Sequence, residues 1–129
     1  MELKTLNEIE IISAPHSKIS EVDFENLTFG NVFTDHMLVC DYANGAWQKP
    51  VIEPYAPFMI DPSAKVFHYG QAIFEGMKAY KDQQDDVWLF RPDENFHRFN
   101  KSATRMAMPE VPEDVFLGGL HRLLEIEKE

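Results

Sequence analysis

Hydrophobic and polar positions change rhythm several times along this chain. Residues 1–28 mix apolar and charged side chains without a clear period. They read as an N-terminal arm with one short strand at IEIIS. From Phe29 onward the texture tightens. HMLVCDY and ANGAWQKPVIEPY place Asn44-Gly45 between two strand-like runs. Asn-Gly tolerates positive φ at both turn centres, so a hairpin is predicted there. PFMIDPSAKVFHYG reads as strand or loop punctuated by proline. GMKAY and DVWLFR then alternate apolar and polar positions around the polar KDQQDD, which predicts a second hairpin. Met77, Ala79, Val87, Leu89 and Arg91 divide between its faces.

The last third has helical period. Phe96, Phe99, Ala103 and Met106 recur at spacings of three and four, with Asp93 placed to cap the start and Pro109 to stop the end. In PEDVFLGGLHRLLEIEKE, Pro and two acids suit a helix N-terminus, and Phe116, Leu120, Leu123 and Leu124 form an apolar face. Gly118-Gly119 costs this helix about 1 kcal/mol per glycine, which points to a close-packed neighbour at that spot. The final LLEIEKE keeps its helical pattern without a terminating Gly, Asn or Pro. That suits a natural terminus or a boundary within a longer chain. The fold class that follows is α+β, an antiparallel sheet built from hairpins with helices packed on it.

Composition narrows the function more than the fold. With 129 residues and 44% apolar content, the chain suffices for one packed domain. Its formal charge of −10 disfavours nonspecific binding to nucleic acid or anionic membranes, while leaving room for one anion in a local basic pocket. No apolar run approaches the roughly 20 residues of a membrane span, and the first residues lack a signal-peptide core. A cytoplasmic location is the expectation. The single Cys40, inside a strand-like run, reads as a buried structural thiol. His16, His36, His68, His97 and His121 share no metal-ligand spacing, so no metal site is assigned and each reads as a surface or hydrogen-bonded side chain.

Two stretches raise the question of chemistry. HYGQAIFEGMKAY crowds aromatic, acidic and basic groups beside two glycines. In ENFHRFNKS, Arg98 lies off the Phe96–Phe99 stripe and groups with Asn95, Ser102 and Arg105. Spacing alone leans toward a solvated helix face. The functional counterpart is an anion site, because Arg grips phosphate with two parallel hydrogen bonds.

FGNVFTDHMLVCDY, AKVFHYGQAIFEGMKAY, LFRPDENFHRFNKSATRMAMP and LLEIEKE together resemble the N-terminal portion of branched-chain amino acid aminotransferases, from about residue 27 onward. FTDHML favours this family over relatives that share only the looser HYG…FEG pattern. The resemblance implies the small α+β domain, over residues 29–129, of a two-domain, fold-type IV enzyme. Such an enzyme uses pyridoxal 5′-phosphate and exchanges an amino group between leucine, isoleucine or valine and 2-oxoglutarate. It implies a homodimer, with the cofactor between small and large domains. Arg98 matches the arginine that binds the cofactor phosphate. Phe29, Tyr69 and Phe74 match aromatic positions of the side-chain pocket, and Lys78 matches a basic position after FEG that supports the substrate site. Glu75 and Gly76 complete the motif in structural roles.

None of the eight lysines sits in the context of the family's cofactor-bearing lysine, so no residue here is assigned a catalytic role. The expectation is a fragment that is inactive alone and completed by a C-terminal large domain. The alternative is a stand-alone, non-catalytic domain that binds a metabolite or partner.

Overall fold

The structure, a computed structural model, describes residues 9–128. Its central element is β5 (Val51–Pro54), flanked by β2 (His36–Val39) and β1 (Glu10–Ile11) in the order β1-β5-β2. β2 runs antiparallel to β5, with Leu38 opposite Ile52, whereas β1 joins the other edge in parallel, with Ile11 opposite Ile52. Ile52, on this central strand, is fully buried. The IEIIS reading is met by β1, and residues 1–8 of the expected arm lie outside the described residues.

Both hairpins form. β3 (Tyr42–Ala43) and β4 (Ala46–Trp47) are joined through Asn44 at φ 54° and Gly45 at φ 78°, the double positive-φ turn the Asn-Gly pair permits. β6 (Ala79–Lys81) and β7 (Val87–Leu89) pair antiparallel, with Tyr80 opposite Trp88. The architecture is α+β, with small, largely antiparallel sheets and helices alongside them.

Several local expectations are corrected. The stretch before Gly70 holds a short helix, α1 (Lys65–Tyr69), rather than strand or loop alone. The Asp61 carboxylate accepts from the Ser63 backbone N–H at 2.7 Å and from its hydroxyl at 2.6 Å, folding a turn that launches the helix. Gly70, at φ 60°, ends it. α2 (Pro92–Arg105) begins one residue before Asp93, with Pro92 in its first turn and no side-chain cap. Asp93 instead lies within the first turn, where its charge suits the helix dipole. The helix stops before Pro109 does any work. Ala107 takes φ 54°, and the N–H groups of Met108 and Ala107 reach back to the carbonyls of Ala103 and Thr104. Cys40 lies just past β2 and is only half-buried, its thiol donating to the Gln48 carbonyl at 3.2 Å.

The C-terminal helix also departs from a regular start. Asp114–Gly118 forms a wide π-turn, continued by α3 (Gly119–Glu127). Val115 and Leu117 of this turn are buried, and Phe116 packs on Phe96 and Phe99 of α2 at ring separations of 5.6 and 5.2 Å. The predicted close neighbour of the glycine pair is Leu38 of β2. A Cβ added at Gly119 would lie 2.5 Å from its Cδ2.

Candidate functional site

The segment between α1 and β6 positions the site. From Gln71 to Lys78, alternate residues turn inward and outward. Ile73, Glu75 and Met77 turn in, while Phe74 and Lys78 turn out. Phe74 ends up 89% exposed. A carboxylate on the inward side needs partners, and α2 supplies them. Arg98 donates from Nε to Glu75 Oε1 at 2.6 Å and from Nη2 to Oε2 at 2.8 Å. Asn95, one helical turn earlier, donates from Nδ2 to Oε2 at 2.8 Å and to the Gly76 carbonyl at 3.2 Å.

Glu75 is 7% exposed in its side chain and Arg98 is 67% exposed. The pair is a two-pronged fork with its acid inside and its base at the surface. The hydrogen bond from Arg98, aided by that from Asn95 and by the guanidinium charge, outweighs burial and holds the Glu75 carboxyl down at about 2. Arg98 is pushed above its ordinary value by the same partner.

Arg98 and Phe74 border one groove of about 900 Å³, shared with Lys101, Ser102, Arg105 and Met106. Arg98, Lys101 and Arg105 stand three and four residues apart, so the helix stacks three cations along one face. Of these, Lys101 was not singled out from the sequence, although the spacing contained it. Glu75 was read as structural, and its fork with Arg98 had no sequence signal, because the partners are 23 residues apart.

The remaining predicted residues lie elsewhere. Phe29 and Lys78 line a second groove of about 950 Å³, with Phe24, Leu27, Phe33 and Ile126. Tyr69 lies on α1, 81% exposed, and borders neither groove. Gly70 makes the turn of the HYG motif at positive φ, whereas Gly76 has no such φ. His36 is the one buried histidine among the described residues. Its Nε2 accepts the Ala14 N–H at 2.8 Å, which leaves the ring proton on Nδ1 to donate to Glu127 at 2.6 Å. No group of three or more His, Cys, Asp or Glu side chains suited to a metal ion occurs among the described residues. No described helix is long and apolar enough to cross a membrane.

A small α+β domain with a cation-lined groove beside an exposed aromatic has the donor set of an anion-binding module. Its relatives are more particular. The chain is 52% identical over 108 residues to "Branched-chain-amino-acid transaminase 1" of Bacillus subtilis, a match covering 83% of this chain and 30% of that protein. It is 47% identical over 114 residues to "Branched-chain-amino-acid aminotransferase 2" of the same organism, covering 88% and 31%. A "Branched-chain-amino-acid aminotransferase" of Mycolicibacterium smegmatis is 42% identical over 111 residues, covering 85% and 30%. No family model matches the chain. The chain is homologous to the branched-chain amino acid aminotransferases over most of its own length, and it spans about 30% of the length of the curated relatives it matches. That pattern favours a part of such an enzyme over a stand-alone binding domain.

Proposed function

We propose that this chain is the N-terminal part of a branched-chain amino acid aminotransferase, an arm over residues 1–28 and a small domain over residues 29–129. The whole enzyme exchanges an amino group between leucine, isoleucine or valine and 2-oxoglutarate, as a cytoplasmic homodimer in branched-chain amino acid biosynthesis. The observation that carries the reading is the groove beside Phe74, where Arg98, Lys101, Ser102 and Arg105 converge in a chain of net charge −10. A local cluster of cations on an acidic protein attracts anions to that spot.

The donor set fits a phosphate monoester carried on an aromatic ring. Arg98 spends two of its five N–H donors on Glu75 and keeps three for a ligand. Ser102 adds a hydroxyl, and Phe74 an apolar face. Pyridoxal 5′-phosphate matches that chemistry, and when bound it supplies an electron sink for charge developing at an amino acid Cα. Arg98 would hold its phosphate. Phe29, Tyr69 and Phe74, which this chain presents at separate places, would each contribute to an apolar wall for a branched side chain that the rest of the enzyme completes, with Lys78 in support. The Tyr69 hydroxyl can also donate to the carboxylate of glutamate, which the same pocket must admit.

Titration of the whole apo-protein with pyridoxal 5′-phosphate, followed by absorbance, tests the assignment. Arg98→Ala should weaken binding roughly 10- to 100-fold. The 129-residue chain by itself should transaminate neither leucine nor glutamate. Wild-type cofactor affinity in Arg98→Ala, or borohydride trapping of the cofactor on Lys78, would refute this reading.

A further inference from the structure

The Arg98 side chain is two-thirds exposed and long, yet its fork with Glu75 has two short bonds. We propose that Glu75 is a positioning residue: it clamps one edge of the Arg98 guanidinium so that the remaining donors are preset for a phosphate in the groove of Phe74, Lys101, Ser102 and Arg105. The proposal rests on the phosphate reading of Arg98 given above.

The clamp is itself clamped. Glu75 Oε1 is taken by Arg98, and Oε2 is shared by Arg98 and Asn95. Asn95 is tied in turn to the Gly76 carbonyl. Only 7% of the Glu75 side chain is exposed, so its carboxylate cannot swing out to follow a wandering arginine. The acidic pKa of Glu75, about 2, keeps the fork charged at any physiological pH.

Two consequences of Glu75 for an anion oppose each other. Its negative charge lowers the attraction of the groove, and its fork spares Arg98 the ordering that binding would otherwise require. The charge effect is screened by salt, with a Debye length of about 3 Å at 1 M. The ordering effect is not. Presetting one rotamer-rich side chain is worth about 2- to 12-fold in affinity.

The test titrates the whole apo-protein with inorganic phosphate by 1H–15N TROSY NMR, reading both affinity and the Arg98 Nε–H resonance. Arg98→Ala reports whether the groove takes phosphate through this residue. Glu75→Asp keeps the charge but shortens the arm by one methylene, which breaks the fork. Phosphate affinity should fall about 2- to 12-fold, and the Nε–H resonance should move toward that of a free guanidinium. Thermal unfolding should also move down, because the fork pairs a nearly buried carboxylate, so affinity is read well below the midpoint of each variant. The isosteric Glu75→Gln keeps the side-chain volume, so it provides a folded variant even where the aspartate does not. At about 1 M ionic strength it too should bind phosphate more weakly than wild type. Should both Glu75 variants bind at wild-type strength or tighter while Arg98→Ala weakens binding, Glu75 merely balances charge and the positioning role is wrong. An Arg98→Ala variant with unchanged affinity, or a wild type that binds no phosphate, sinks the groove reading and takes the positioning role with it.

Discussion

Gly119 shows how much one absent side chain can arrange. Its pro-Cβ site lies 2.5 Å from Leu38 Cδ2, and Cδ1 and Cγ of the same leucine follow at 3.4 and 3.6 Å. Alanine would gain about 1 kcal/mol of helix propensity, against about 1–3 kcal/mol for overpacking. Gly119→Ala should therefore gain less than this propensity in urea unfolding, or lose stability outright. In a Leu38→Ala background, where the obstructing atoms are gone, the same substitution should stabilise the chain. Equal effects in both backgrounds would show that the contact is not what keeps glycine there. This requirement was legible, because two glycines in an otherwise good helix ask for a neighbour. Glu75 was not legible as a partner of Arg98, since nothing local pairs residues 23 positions apart. Its carboxyl is held at about 2, chiefly by the Arg98 hydrogen bond, against an ordinary value of 4.5. A depressed carboxylate stabilises the fold above its unfolded pKa and loses that contribution as pH falls through the folded one. Between pH 4.5 and about 2 the wild type should thus lose stability with a steeper slope than Glu75→Gln. Parallel slopes in acid-unfolding curves would mean that the fork is not formed in solution.

At the scale of elements, the last turn of α3 does more than end a helix. Glu127 accepts the backbone N–H groups of Asp35 and His36, both at 3.0 Å, and the ring N–H of His36. His36 passes the connection on to Ala14 beyond β1. One carboxylate thus joins the start of β2, the helix end and the N-terminal segment. Each of its three donors would lose its partner in Glu127→Ala. Leaving a buried donor unpaired costs about 1–3 kcal/mol, so a loss of roughly 2–4 kcal/mol is expected after partial rehydration. Glu125, two residues back and on another side of the helix, holds Arg122 and faces His121 at the surface. Its replacement by alanine should cost less than about 1 kcal/mol. Comparable losses for the two variants in chemical denaturation would remove the special standing of Glu127. The elements themselves were largely legible where local chemistry decides them. Asn44-Gly45, the alternation around KDQQDD and the Phe96–Phe99 stripe all appear as read. The misses share a cause. α1 and the π-turn are single turns too short to show a period, and the parallel docking of β1 on β5 joins residues 41 positions apart. The histidine at position 36 looked like one of five, and only tertiary contact distinguishes it.

Across the whole molecule, surface area and core disagree about size. The chain exposes 10236 Å². A compact monomer of 15.0 kDa exposes about 7,000 Å². The excess of about 3,000 Å² on one chain is more than one partner's half-share, about 1,000–2,500 Å², of an obligate interface. Its composition points the same way. Phe29 and Met59 are fully exposed, Phe74, Phe90 and Tyr69 nearly so, while only Ile52, Ala103, Val115 and Leu117 are buried hydrophobics among the described residues. A monomer in water rarely shows so many large apolar side chains together. The net charge of −10 resists association, but at 0.15 M salt that repulsion is screened beyond about 8 Å, whereas apolar contact is not. The 129-residue chain should therefore associate in light scattering, and more so as salt is raised. It should also bind a dye that reports exposed apolar surface. Paired substitution of Phe29 and Phe74 by serine removes two of the most exposed rings without touching the four buried residues. It should shift the chain toward monomer and make its unfolding midpoint less dependent on concentration. A wild type that stays monomeric at millimolar concentration and high salt would mean that this exposed apolar surface is tolerated in water and does not drive the chain into larger assemblies.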